Sequence, residues 1–224
     1  MKPHHTITCA LIAAAAFLGT PAPAQEPAPS TSETPLAEGN APQQAALADM
    51  PINELMKAAE NGDADAQTEL AERYFSGRDV HVDAMLALQQ LSYAVQQNNP
   101  KAQTLLGACY YSGTGVARDF SIALEWFARA ASAGYPPAQM CMYAAYRDGR
   151  GVPLSDSKAL QWLEKAVFAK SPEAMCEMGL IKLKGKLGTV RNVESARDML
   201  EKARELGNAQ AEKLLQLLDE AYER

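Results

Sequence analysis

One interval organises this sequence, and it is 36 residues long. Ala66, Ala102, Ala138 and Ala174 stand 36 apart, and Gly77, Gly113, Gly149 and Gly185 keep the same interval. Two more alanine series, Ala87, Ala123, Ala159, Ala196 and Ala94, Ala130, Ala166, Ala203, follow at 36, 36 and 37. Chance does not hold four series in register through four copies. A period in the thirties belongs to stacked helix–turn–helix units, each too small to bury its apolar face alone. The abundance of alanine and an aromatic content of 7% favour helix over sheet.

Each unit reads as two helices. In the first, Ala66, Leu70 and Tyr74 recur at i, i+4 and i+8, followed by Leu106 and Tyr110, then Met142 and Tyr146. That spacing makes one buried helical stripe. The glycines after it end the helix, and Val80, Val116, Val152 and Val190 are expected to plug the turn. Four residues before each second-series alanine stands Asp83, Asp119, Ser155 or Asn192. All four are N-cap types, whose side-chain oxygens accept from the free N–H groups of a new helix. The second helix then ends near Asn98, Gly134, Lys170 or Gly207. Its paired alanines let neighbours approach closely, with Trp126-Phe127 and Trp162-Leu163 filling between. Leu55 to Gly62 resembles the tail of a second helix, so the array opens on a half repeat. Ala209-Gln210-Ala211 restarts a first helix whose charged outer face (Glu212, Lys213, Glu220, Glu223, Arg224) suits a terminal cap.

Ahead of the array the chain changes character. Lys2, His4 and His5 form a short polar opening, Thr6 to Gly19 is mostly apolar, and Ala22-Pro23-Ala24 places small residues where a cleavage site needs them. This is the pattern of a secretory signal peptide over 1–24, cleaved after Ala24. The apolar run is shorter than the roughly 20 residues a spanning helix needs, so no stable membrane insertion is expected after its removal. Residues 25–48 are rich in Pro, Ala, Glu, Gln and Ser, without helical or strand period, and read as a disordered spacer. Alternatively Gln43 to Ala48 begins a first helix. The expected location is periplasmic or secreted. Loss of Lys2 takes the formal charge from −6 to −7, a balance that repels phosphate backbones and argues against nucleic acid as partner. Cys109, Cys141 and Cys176 remain, an odd number, so at least one is free or joins another chain. Cys141 and Cys176 fall at similar heights on adjacent first helices. A disulfide between them and two separate buried thiols both stay open.

The second repeat runs Ala102-Gln103, Leu106-Gly107, Tyr110, Gly113-Thr114-Gly115-Val116, Asp119, Ala123, Trp126-Phe127, Ala130-Ala131, Gly134. The third keeps Ala138-Gln139, Gly149-Arg150-Gly151-Val152 and Trp162. This pattern resembles the Sel-one-like repeat family, a branch of the tetratricopeptide-type solenoids. The resemblance implies an all-α fold, an α/α solenoid in which antiparallel helix pairs wind into a superhelix. Repeats of about 63–98, 99–134, 135–170 and 171–207 would fill a domain of 49–224, with a capping helix over 208–224. There are departures. Repeat one has Arg78-Asp79 in the glycine turn and Gln90 at the usual Trp. Repeat three has Tyr143 at the usual Gly, and repeat four has Lys182 for Tyr, Met199 for Trp and a longer turn from Gly185 to Val190.

The resemblance also places first helices on the concave side of the solenoid. If Gln67, Leu70, Ala71 and Tyr74 face the core, the neighbouring face carries Thr68, Glu72 and Phe75, then Thr104, Ala108 and Tyr111, then Met140, Ala144 and Arg147, then Cys176, Leu180 and Leu183. A groove there would take an amphipathic helix or extended peptide, with Phe75 and Tyr111 as aromatic anchors. The alternative is that helix packing buries the same residues. Family resemblance implies a protein-binding adaptor or regulator of the cell envelope, monomeric and without a cofactor.

Enzyme chemistry finds little purchase. Beyond the leader there is one histidine, His81, which leaves no His-based metal cluster and no Ser-His-Asp or Cys-His pairing. Ser155-Asp156-Ser157-Lys158 has the Ser-x-x-Lys spacing of penicillin-recognising enzymes, without their Lys-Thr-Gly or Ser-Asp-Asn partners. The sequence therefore reads as a binding protein and not an enzyme. The competing reading is a weak envelope hydrolase directed at β-lactams or peptidoglycan.

Overall fold

A computed structural model describes residues 46–222. The expected signal peptide, the spacer as far as residue 45, and Glu223 and Arg224 lie outside the described residues. The chain divides into two compact units, Met1–Ala138 and Gln139–Arg224. All regular structure among the described residues is helical, and it belongs to the α/α solenoid class: helices follow one another as antiparallel pairs. No helix of the described residues is long and apolar enough to cross a membrane.

The first unit opens with a helical turn at 46–48 and α1 (Ile52–Glu60). Repeat one is α2 (Ala64–Ser76) and α3 (Ala84–Gln96), and repeat two is α4 (Pro100–Ser112) and α5 (Phe120–Ser132). α6 (Pro136–Asp148) starts at the end of this unit and runs into the second, where it is followed by α7 (Asp156–Phe168). The array closes with α8 (Pro172–Lys184), α9 (Val193–Glu205) and α10 (Ala209–Tyr222). One helix, α1, stands ahead of repeat one, and one, α10, follows repeat four. The turn at 46–48 is folded, and Leu47 is buried against Leu55, Ala59 and Leu70.

All twelve periodic alanines are fully buried, at 0% exposure. They are the points where one helix meets the next. The tightest approach is at Gly107 on α4, where an added Cβ would lie 2.7 Å from the Phe127 ring and 3.0 Å from the Ala123 carbonyl oxygen of α5. Gly179 on α8 is similar, 2.9 Å from Leu200 on α9. A methyl group at either place has no room without a shift of the pair.

Each pair is also fixed by one residue that works in two directions. Asp83, Asp119, Ser155 and Asn192 all cap their second helices as the sequence predicts. The same residues donate their backbone N–H back to the first helix: Asp83 to the Tyr74 carbonyl at 3.0 Å, Asp119 to Tyr110 at 2.9 Å, Ser155 to Tyr146 at 2.9 Å and Asn192 to Lys182 at 2.9 Å. Because this link is main-chain, it survives the loss of tyrosine in repeat four. The turn itself does not survive unchanged. Val80, Val116 and Val152 are half-buried, but Val190 is 86% exposed. The longer turn brings Leu187 against the core cluster instead and displaces the valine outward. Second helices end in the left-handed region at Asn98 (φ 58), Gly134 (φ 83), Lys170 (φ 59) and Gly207 (φ 86).

Repeat one carries a device of its own. Arg73 on α2 is 1% exposed. Its Nη2 donates to the carbonyl oxygens of Leu47 (3.1 Å), Ala48 (3.1 Å) and Met50 (2.7 Å), and Nη1 donates to Asp79 at 3.3 Å. Glu69 lies 3.5 Å from Arg73 Nε and also pairs with Arg78. The guanidinium therefore closes the C-terminal end of the opening turn, where helix carbonyls lack partners of their own. Asp79 takes the left-handed place that Gly115 holds in repeat two (φ 62 against 73) and supplies Arg73 with a counter-charge.

Cys109, Cys141 and Cys176 are buried and none is in a disulfide, so no bridge joins Cys141 to Cys176. Burial pushes the Cys109 thiol up to about 12. Burial, with Glu177 and Glu173 nearby, pushes Cys176 up to about 11. Raised values keep both groups as unreactive thiols near neutral pH.

Two measurements check this architecture. Arg73→Ala strands three carbonyls and leaves Glu69 with Arg78 and Lys101 alone, and is expected to lower stability by about 3–5 kcal/mol, the usual result of breaking a buried charged pair. Hydrogen exchange should then place the loss of protection in 46–60 ahead of the rest. The three buried thiols should react with an aromatic disulfide at pH 8 at least ~10-fold more slowly than a free cysteine, and all three should titrate once the chain is unfolded in guanidinium.

Candidate functional site

The face expected to bind a partner divides into buried and accessible parts. In the first unit, Thr104 is 1% exposed and donates its hydroxyl to the Pro100 carbonyl at 2.7 Å. Ala108 is 5% exposed. Tyr111 is 3% exposed, packed edge-on against Phe120 with centroids 5.0 Å apart and tilted on Phe127 at 6.2 Å. The expectation of Tyr111 as an open aromatic anchor is therefore corrected: the rings of α5 cover it. Phe75 is half-buried against the cluster of Ala71, Leu91 and Leu105.

Beside Phe75, α2 is acidic. Lys101 of α4 reaches Glu72 at 2.7 Å and Glu69 at 3.8 Å. Burial pushes the Glu72 carboxyl above its ordinary value, and Lys101 opposes that shift.

In the second unit Cys176 is buried, while Met140, Ala144, Leu180 and Leu183 are half-buried and Arg147 is exposed. Two residues outside the expected set organise this face: Tyr143 on α6, which the sequence marks only as a departure at a glycine position, and Glu177 on α8, which it does not mark. The Tyr143 hydroxyl donates to Glu177 Oε1 at 2.6 Å. Arg147 sits over the Tyr143 ring, 5.2 Å from its centroid, and approaches Glu177 at 3.6 Å. It is held from the other side by both oxygens of Asp148, at 2.7 and 3.1 Å. The bond to Asp148 favours the charged guanidinium. Burial, then the bond to Glu177, pushes the Tyr143 phenol up, so it remains a donor. One arginine, one phenol and two carboxylates thus tie α6 to α8, flanked by the accessible apolar atoms of Met140, Ala144, Leu180 and Leu183.

Tyr143 occupies the position that Gly107 and Gly179 hold elsewhere. Its ring joins a core cluster with Leu163, which stands where Phe127 stands in repeat two. Each arrangement has one ring: on the second helix in repeat two, on the first in repeat three. The change brings a hydroxyl to the face of α6. A tyrosine in a glycine register was the signal that could have found it.

Groups of catalytic type are committed to structure. Ser155 Oγ accepts from the Lys158 backbone N–H at 3.3 Å as the cap of α7, and Lys158 Nζ lies 5.4 Å from the Tyr146 ring centroid. Among the described residues no group of three or more His, Cys, Asp or Glu is placed to hold a metal ion.

The Sel1 repeat profile matches residues 64–99, 100–135, 138–167 and 172–208. Among solved structures, a protective antigen of uropathogenic Escherichia coli strains displaying an SLR fold is 31% identical, with a TM-score of 0.63, over 73% of this chain and 35% of that one. A Sel1 repeat protein from Oxalobacter formigenes is 32% identical, with a TM-score of 0.62, over 78% of this chain and 49% of that one. The chain thus spans half or less of either protein's length. A sel1 repeat protein from Klebsiella pneumoniae, 22% identical with a TM-score of 0.51 over 81% of this chain and 94% of that one, shares the fold. No curated protein matches. Sel1 repeat proteins are generally protein-interaction scaffolds and typically not enzymes. With four repeats matched over most of its length, the chain belongs to the Sel1 repeat family.

Proposed function

We propose that this protein is an exported interaction scaffold of the bacterial cell envelope or exterior, and that it holds a peptide or protein partner on the first helices of its second unit. The observation that carries this reading is the α6–α8 face. There Arg147 is exposed and fixed by Tyr143, Asp148 and Glu177, beside four apolar side chains left partly accessible. Such a face offers non-polar contact beside a fixed arginine, a residue type enriched at interfaces. The cluster has two carboxylates to one guanidinium, so it favours an apolar segment carrying a basic residue. Export rests on the signal pattern of 1–24, and the net charge of −6 supports a partner other than nucleic acid. The scaffold is read as a monomer.

Leu180→Glu with Ala144→Glu puts two charges on this face. The partner crosslinked in envelope extracts should be lost at least ~10-fold, a cost of about 1.4 kcal/mol or more. Leu154→Glu, at a site 65% exposed, should leave capture unchanged. Undiminished capture by the double variant, folded by circular dichroism, would overturn the assignment. On the same reading the purified protein turns over no nitrocefin, and Ser155→Ala lowers stability by about 1 kcal/mol through the lost cap. Turnover that disappears in Ser155→Ala would favour the hydrolase instead.

A further inference from the structure

A cavity of about 350 Å³ opens in the first unit between α1 and α3, over α2. Met56, Glu60, Leu70, Tyr74, Gln90 and Tyr93 line it. Its lining includes a substitution within the repeat. The position of Gln90 is that of Trp126 in repeat two and Trp162 in repeat three, each 36 residues on. Leu70 and Tyr74 likewise correspond to Leu106 and Tyr110. Where repeats two and three carry an indole, repeat one has a shorter amide beside the cavity.

The surroundings of that position have changed with it. Trp126 and Trp162 each carry a cation over the ring, Arg129 at 4.7 Å and Lys165 at 4.0 Å. The corresponding residue in repeat one is Tyr93, 44% exposed, so a second ring stands where the cation stood. Gln67 below is already spent: its amide donates to the Ala59 carbonyl at 3.1 Å and accepts from Gln97 at 3.1 Å. Gln90 and Glu60 bring an amide and a carboxylate that can accept from an indole N–H. The volume is at the small end of ligand cavities, about 300–1,000 Å³, suited to one large side chain.

We infer that this cavity is a binding site for a tryptophan side chain of a partner polypeptide, which restores the indole that repeat one lacks. The ring would lie between Tyr74 and Tyr93 on Met56 and Leu70, in the offset or edge geometry that aromatic pairs prefer. Tryptophan is also the residue type most enriched among interface anchors. The site uses other residues than the α6–α8 face, so the two stand or fall separately.

The probe is N-acetyl-tryptophanamide, titrated into the intact protein and followed by the amide resonances of α1 to α3. Expected are saturable shifts around Leu70, Tyr74 and Gln90 at millimolar concentration, absent with N-acetyl-leucinamide. Gln90→Trp fills the cavity from within and should abolish them. Tyr93→Ala, at an exposed position that should not disturb folding, should weaken binding about 2- to 12-fold, the loss of one aromatic pair. Shifts that are equal for the two compounds, or that persist in Gln90→Trp, would overturn the proposal. So would a change in sedimentation of Gln90→Trp, which would assign the cavity to a second copy of the chain.

Discussion

Two helices come as close as these only where nothing larger than a methyl group stands between them. Twelve alanines at 0% exposure meet that condition, three to each repeat, and two glycines go beyond it. The close approach sets what else the chain can do. Large side chains are pushed to the places between contacts, which is why the ring of repeat two sits on α5 as Phe127 and that of repeat three on α6 as Tyr143. The N-cap residues then lock each pair by joining the start of one helix to the end of the other. Steric contact sets the distance and hydrogen bonding sets the angle, and both recur with the period of the sequence.

What was legible follows from this. The alanine series, the caps and the glycine turns act within a few residues of themselves, so their spacing alone announces them. The burial of Tyr111 does not, because it depends on Phe120 and Phe127 coming over it from α5. The same holds for Glu177. Its value lies in reaching Tyr143, 34 residues away, and nothing in its own surroundings in the chain marks it. Val190 was misread because one added residue in a turn changes which side chain faces in. Local pattern predicts local structure, and a site assembled from neighbouring repeats has to be seen in three dimensions.

Departures from the repeat are where individuality lies. A uniform array would present four equivalent surfaces. Here repeats one, three and four depart from the pattern of repeat two, and several of the departures have a physical result. Gln90 lines a cavity, Tyr143 adds a phenol to a polar cluster, and Arg73 and Asp79 close the first end of the array. The alanines that make the fold are free of these changes, so recognition can vary while the stacking geometry holds.

The clasp at Arg73 has a mechanical consequence. Its three bonds to Leu47, Ala48 and Met50 run to main-chain oxygens, so side chains in that stretch can change without loosening it. A pull on the preceding chain meets these bonds together, loaded side by side, before it reaches α1. Helix ends normally unzip one bond at a time under tension. Here the force is passed to a buried guanidinium in the last turn of α2, and the join bears load as a rivet does.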